Sequence, residues 1–293
     1  MLEQDFAVVQ AAFMERPRAP DFICIGAAKA GTTWLYRALR NTPGYRLPPV
    51  KELRYFGQKD IGDRDKGRLG SAEAADMAPE ILEWMRNYVS GSPKDDAWYL
   101  SLFAFAADDI TGDISPAYAP LAPAFIQQAK RVSPNASILM FVRNPYERNV
   151  SHLANLAART LLGPKRQRDM YHKTGATLTA DMLCAEQTAP IFLRQSQQAV
   201  AVRQWREVFG DRVNVFFYDD LVANPAAFLD KVTRAIGRQS RPNDEATLLE
   251  RANPMVPLSQ EDVATVRDAI RPMCEKEIAD LNSEIGPIPY VWN

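Results

Sequence analysis

Apolar runs alternate with helical periodicity along most of this chain. "DFICIG" (21–26) is a continuous apolar run after one acid, which predicts a buried strand. Behind it, "TTWLYRALRN" places Trp34, Leu35, Ala38 and Leu39 at helical spacing, and Asn41 with "TPG" predicts the stop. "SILMFVR" (137–143) and "RVNVFFYDD" (212–220) read as two further buried strands, and "ITGDIS" (110–115) as a weaker one. Helical patterns lie between them at 122–132, 146–160, 190–210 and 224–237, with a long one at 259–286 that Pro272 would break. Residues 1–20 read as a helical extension, amphipathic over 1–16. The alternation predicts an α/β fold over 21–293, a single domain with a central parallel sheet flanked by helices. Residues 57–108, polar first and aromatic later, and 159–187, with the basic "PKRQR", interrupt the alternation. Both read as insertions over the open edge of the sheet.

Composition narrows the function classes. A hydrophobic fraction of 46% supports a substantial core, and a net charge of −1 gives no chain-wide field for nucleic acid or a polyanion. Three scattered cysteines and two histidines lack metal-ligand spacing, which argues against a zinc site. No apolar run reaches membrane-spanning length, and the acidic "MLEQDFAVVQAAF" does not read as a secretion signal. A reducing, cytoplasmic setting is the expectation.

The chemistry starts at "GAAKAGTTW" (26–34). A strand, a small-residue turn and a helix N-terminus make an anion site, because first-turn N–H groups and the helix dipole favour negative charge. Gly31 permits close approach, Lys29 brings a full charge, and Thr32 and Thr33 bring hydroxyl donors. The nucleotide P-loop G-x-x-x-x-G-K-S/T sets lysine after the last glycine, whereas here lysine precedes Gly31. Asp219 and Asp220 are the best candidates for a magnesium-directed aspartate and read equally well as a cap. Magnesium and a triphosphate are therefore poorly supported. A second anion site follows the strand at 137–143: Arg143 stands at its end, Asn144 and Pro145 suit a helix start, and Ser151 falls about two turns further on. An arginine fork and a serine hydroxyl suit phosphate. Ligands of open parallel sheets sit at the strands' carboxyl ends, which puts this pair on the rim that carries Lys29.

"GAAKAGTTWLYRAL" resembles the 5′-phosphosulfate loop of sulfotransferases that use 3′-phosphoadenosine 5′-phosphosulfate (PAPS). "FVRNPYERNVSHLAN" is similar to their 3′-phosphate motif R-D/N-P-x-x-R-x-x-S at every position. The resemblance implies a P-loop-nucleoside-triphosphate-hydrolase-like fold with the two insertions on the acceptor side of the active site. It implies PAPS binding by Lys29, Ala30, Gly31, Thr32, Thr33, Trp34, Arg143 and Ser151, with Arg251 in the region that closes over the 3′-phosphate. Trp34 either stacks on adenine or is a core tryptophan, and Arg148 belongs to the motif with a structural reading open.

"PVKELRYF" (49–56) resembles the K-E-x-H-F-F stretch of heparan-type and bacterial members, whose glutamate is the presumed base and falls on Glu52. Lys51 precedes it, and Arg54 replaces the histidine. "TGDISPAYAP" resembles E-K-S/T-P-x-Y, with Asp113 for the glutamate and Ile114 for a lysine that assists catalysis in heparan-type members. Lys51 is the candidate to supply that charge, and Asp113 to orient Lys29 or Lys51 or to satisfy backbone donors. The expectation is metal-free in-line transfer of a sulfuryl group to a hydroxyl of a small or carrier-tethered acceptor, with an amine as the less favoured alternative. The rival readings are a P-loop kinase or other phosphotransferase, and a non-catalytic nucleotide-binding module.

Overall fold

The apolar runs pair as one sheet. The computed structural model describes residues 17–57, 77–162, 178–242, 244–250 and 258–292. Within them β1 (Phe22–Gly26), β2 (Gly112–Ile114), β3 (Ser137–Val142) and β4 (Val213–Phe217) lie in the order β2-β1-β3-β4. Every pairing is parallel, and Phe22 stands between Gly112 on one side and Ser137 on the other. β1 is buried throughout and β3 at all but its first residue. Helices cover both faces of such a sheet, so its central strands carry no polar alternation. β1 leads to β2 on one side and β3 leads to β4 on the other. The loops leaving these two neighbours diverge, and the crevice between them is where open parallel sheets bind ligands.

The helices are α1 (Thr32–Arg40), α2 (Pro79–Ser90), α3 (Asp96–Ser101), α4 (Pro123–Val132), α5 (Pro145–Leu162) and α6 (Ala180–Ala185), followed by α7 (Pro190–Gln195), α8 (Gln198–Phe209), α9 (Tyr218–Ala223), α10 (Pro225–Ile236), α11 (Ala246–Leu249) and α12 (Gln260–Ile285). α1 buries Trp34, Leu35, Ala38 and Leu39 and ends at Asn41, with Arg37 and Arg40 in the last turn, where cations suit the dipole. Phe141 of β3 and Phe228 of α10 meet edge to face at 5.1 Å, and Trp34 packs on Phe228 at 5.7 Å. Each such buried side chain contributes about 1.5–3 kcal/mol. A smaller core joins α5, α6 and α12 through Leu153, Leu183, Ile270 and Cys274.

Three boundaries differ from the sequence expectation. β4 stops at Phe217, and the "YDD" that follows opens α9, whose first turn gains from two acids. The pattern at 190–210 is two helices, because Ser196 donates to the carbonyls of Phe192 and Leu193 and closes α7. α12 runs unbroken through Pro272; Val266 and Ile270 before it and Cys274 and Leu281 after it are all buried, and that packing holds the helix in one line. In the first expected insertion, the described α2 and α3 set their aromatics into the core: Trp84 donates to Leu102 O at 2.8 Å, and Tyr99 stacks on Tyr55 at 4.5 Å. The N-terminal helix expected over 1–16, the "PKRQR" cluster, His172 and Arg251 lie outside the described residues. No described helix is long and apolar enough to cross a membrane.

Candidate active site

The turn after β1 and the first turn of α1 line a cavity of about 1400 Å³. Gly31 caps α1 with φ 93°, and a Cβ there would come within 2.7 Å of Leu221 Cδ2. No side chain caps this helix and no acid sits in its first turn, so its leading N–H groups are left to an anion. Lys29, Thr32, Thr33 and Trp34 line the cavity with Gly31. Ala30 does not; it is buried and donates to Ala27 O. Lys29 holds φ 70°, and among the described residues no carboxylate pairs with its ammonium. Burial, then the like charges of Arg143, Arg148 and Lys51, lower its pKa. A lysine crowded by other cations fits an anion, because a bound anion would relieve the repulsion.

Arg143 reaches the same turn from β3. Its Nη1 donates to Lys29 O at 2.8 Å, and its guanidinium lies 4.5 Å from the Tyr218 ring centroid. Glu147 sits 3.8 Å away and also pairs with Arg267 at 2.9 Å. Asn144 Oδ1 accepts from Tyr146 N at 2.9 Å, the cap that the sequence suggests, and Ser151 then faces the cavity from α5. The two loops read separately from the sequence are thus joined by a direct hydrogen bond. Arg148 is fully buried, is absent from the cavity wall and bonds to Asn149.

Glu52 and Lys51 line the same cavity. The Glu52 carboxylate accepts from Lys51 Nζ at 3.0 Å and from Arg54 Nε at 3.0 Å. Burial pushes its pKa up, but the two cations and their hydrogen bonds outweigh burial and hold it at about 2. The loop is stitched to the end of β2: Glu52 N donates to Ile114 O, Arg54 N to Ser115 Oγ and Tyr55 N to the Tyr118 hydroxyl. Asp113 lies beneath it, fully buried and off the cavity wall. It accepts from Ser115, Tyr118 and Tyr99 at 2.6, 2.7 and 3.2 Å. Burial raises its pKa to about 6 against the pull of these hydroxyls. Asp113 therefore anchors the groups that hold the Glu52 loop, and Ile114 takes part through its carbonyl.

Trp34 donates to Leu248 O at 3.0 Å, so its indole also fastens α11. His152 lines the cavity, and burial with Arg148 and Lys29 lowers its pKa to about 3. Asp219 accepts from Trp292, and Asp220 from Tyr290 and Lys231, which commits both carboxylates to the C-terminal tail and α10. Among the described residues no group of three or more His, Cys, Asp or Glu could hold a metal ion. Sequence reading missed Gln198 and Tyr218 as parts of the Arg143 site. Gln198 had a signal, since it occupies an apolar-face position together with Ala201, Val202 and Trp205.

A model described as the sulfotransferase family matches residues 20–242. A sulfotransferase from Alicyclobacillus acidocaldarius has a similar crystal structure, with TM-score 0.58, 18% identity, and coverage of 93% of this chain and 98% of that one. The sulfotransferase domain from the curacin biosynthetic pathway is similar at TM-score 0.50 and 16% identity, covering 94% of each chain. No curated protein sequence matches the chain. At such identities the structures speak for the fold, a parallel sheet flanked by helices, and the family match covers most of the length: the chain belongs to the sulfotransferase family.

Proposed function

We propose that this sulfotransferase moves the sulfuryl group of PAPS onto a hydroxyl of a small or carrier-tethered acceptor. One observation carries the reading: two cationic sites at the ends of adjacent strands, joined by the Arg143–Lys29 hydrogen bond, share one cavity. Lys29 and the first-turn amides of α1 suit the 5′-phosphosulfate, and Arg143 with Ser151 suits the 3′-phosphate. PAPS supplies the sulfuryl group and departs as adenosine 3′,5′-bisphosphate. Lys29 and the α1 amides stabilise charge that grows on the departing phosphate oxygen, the role of donors aimed at developing charge. Glu52 accepts the acceptor's hydroxyl proton as the new S–O bond forms, and Lys51 and Arg54 hold that carboxylate in place. A lysine and a helix dipole serve this transfer without a metal.

The cavity volume of about 1400 Å³ exceeds the roughly 300–1,000 Å³ of a typical small-ligand site, which leaves room for an acceptor beside the nucleotide. Beyond Glu52 its wall includes Leu121 and Phe125, which suits an alcohol on an apolar stem. The three free cysteines fit a reducing, cytoplasmic setting. A thermal-shift series tests the reading. Adenosine 3′,5′-bisphosphate is expected to raise the melting temperature in the presence of a chelator. Stabilisation by Mg–ATP alone would replace the proposal with a kinase, and bisphosphate binding without sulfuryl transfer to any screened alcohol would leave a nucleotide-binding module.

A further inference from the structure

α8 opens with a polar residue on its buried face. Gln198 is 1% exposed and shares that face with Ala201, Val202, Trp205 and Phe209. Its amide bonds the main chain of Arg143 twice: Nε2 donates to the carbonyl at 2.9 Å, and Oε1 accepts from the N–H at 3.0 Å. Arg143 stands one residue past β3, so this side chain supplies the pair of bonds that a neighbouring strand would have given. Glu277 of α12 holds α8 in turn. It is 6% exposed, and its Oε1 accepts from Ala199 N at 2.7 Å. α8 has no side-chain cap of its own, so a carboxylate from another helix takes that place.

We propose that Gln198, held by Glu277, is a positioning residue that fixes the main chain from which the Arg143 guanidinium is aimed, and so sets the preference for a 3′-phosphorylated nucleotide. This rests on the assignment of Arg143 to the 3′-phosphate. The guanidinium's own contacts are the Lys29 carbonyl, the Tyr218 ring and Glu147. These three hold the guanidinium, whereas Gln198 bonds the N–H and carbonyl at its root, and a long side chain magnifies any rotation there. A merely structural glutamine would satisfy two buried polar groups, and its loss would lower stability without changing which nucleotide binds.

The quantity to measure is the ratio of the dissociation constants of adenosine 5′-monophosphate and adenosine 3′,5′-bisphosphate, by calorimetry on the full chain. Arg143→Ala is expected to shrink this ratio about 10- to 100-fold. Gln198→Met keeps the length but neither hydrogen bond, and is expected to shrink it about tenfold. Gln198→Asn keeps the amide, falls short of the Arg143 backbone, and gives the same reading should the methionine variant fail to fold. If Arg143→Ala shrinks the ratio while the Gln198 variants keep it and only melt earlier, the positioning role is overturned and the 3′-phosphate site stands. If Arg143→Ala leaves the ratio unchanged, the site assignment falls and takes this inference with it.

Discussion

Lys29, Glu52 and Arg54 hold left-handed backbone at φ 70°, 65° and 57°, and Ala107 is the one other described non-glycine residue that does. Each such conformation costs on the order of 1–3 kcal/mol and persists where surrounding bonds over-determine it. For Glu52 those bonds are the Ile114 carbonyl at its N–H and two cations at its carboxylate. The same cations set its chemistry. With a pKa of about 2 it is a weak base in the resting site, yet it is ionised and aimed at every working pH. Glu52→Gln is expected to leave bisphosphate affinity near the wild-type value and to lower turnover about 10²- to 10⁴-fold. Full turnover in this variant would move the base elsewhere. The lowered pKa also carries a sign: the carboxylate loses its charge only as pH falls toward 2, so kcat/KM should show no acid limb from Glu52 between pH 4 and 7. A limb in that window which Glu52→Gln abolishes would contradict the site's electrostatics.

α1 shows how one helix start serves packing and binding together. Its buried face packs on α10 through Trp34 and Phe228 and fastens α11, while its uncapped end lines the cavity. Gly31 sits at the junction, pressed by Leu221 and Tyr218 of α9. Gly31→Ala would need both a left-handed alanine and a shift of the Leu221 side chain. It is expected to destabilise the chain by about 1–3 kcal/mol and to weaken bisphosphate binding, read by denaturation and calorimetry. If the alanine variant bound as tightly as wild type, the turn would not need to approach its ligand closely. The turn, α1 and the Arg143–Ser151 spacing were legible because short-range chemistry fixes them: an apolar run, a small-residue turn and a cap. The central strands were legible for the same reason, burial on both faces. The end of β4 was legible only in part: the two acids of "YDD" suit a helix start, and their partners Tyr290 and Trp292, about 70 residues on, fix it there. The place of Asp113 was also legible only in part: Ser115 and Tyr118 stand beside it in "TGDISPAYAP", while Tyr99 reaches it from α3. Contacts of that kind depend on the assembled fold and leave only a polar residue in an apolar pattern as their trace.

α12 leaves the same trace and ties the fold together from beyond the family match at 20–242. Glu277 interrupts its buried line of Val266, Ile270, Cys274 and Leu281, facing Ala199 N at the head of α8 and the charge of Arg148 in α5. Burial raises its pKa from 4.5 to about 7, against the pull of the Ala199 N–H and Arg148. A raised carboxyl takes up a proton on folding between those two values. Its stabilising contribution is therefore complete below pH 4.5 and is lost as pH rises through about 7. The full swing is up to about 3 kcal/mol. Asp113, raised to about 6, acts in the same direction but is common to wild type and any Glu277 variant. The comparison of the two proteins isolates Glu277. In urea denaturation at pH 5 and pH 8, wild type is expected to lose more stability on the way up than Glu277→Gln, which cannot ionise and still offers an oxygen to Ala199. Equal losses in the two proteins would mean that Glu277 stays ionised across this range, and that α8 is capped by a charge at every pH where the enzyme works.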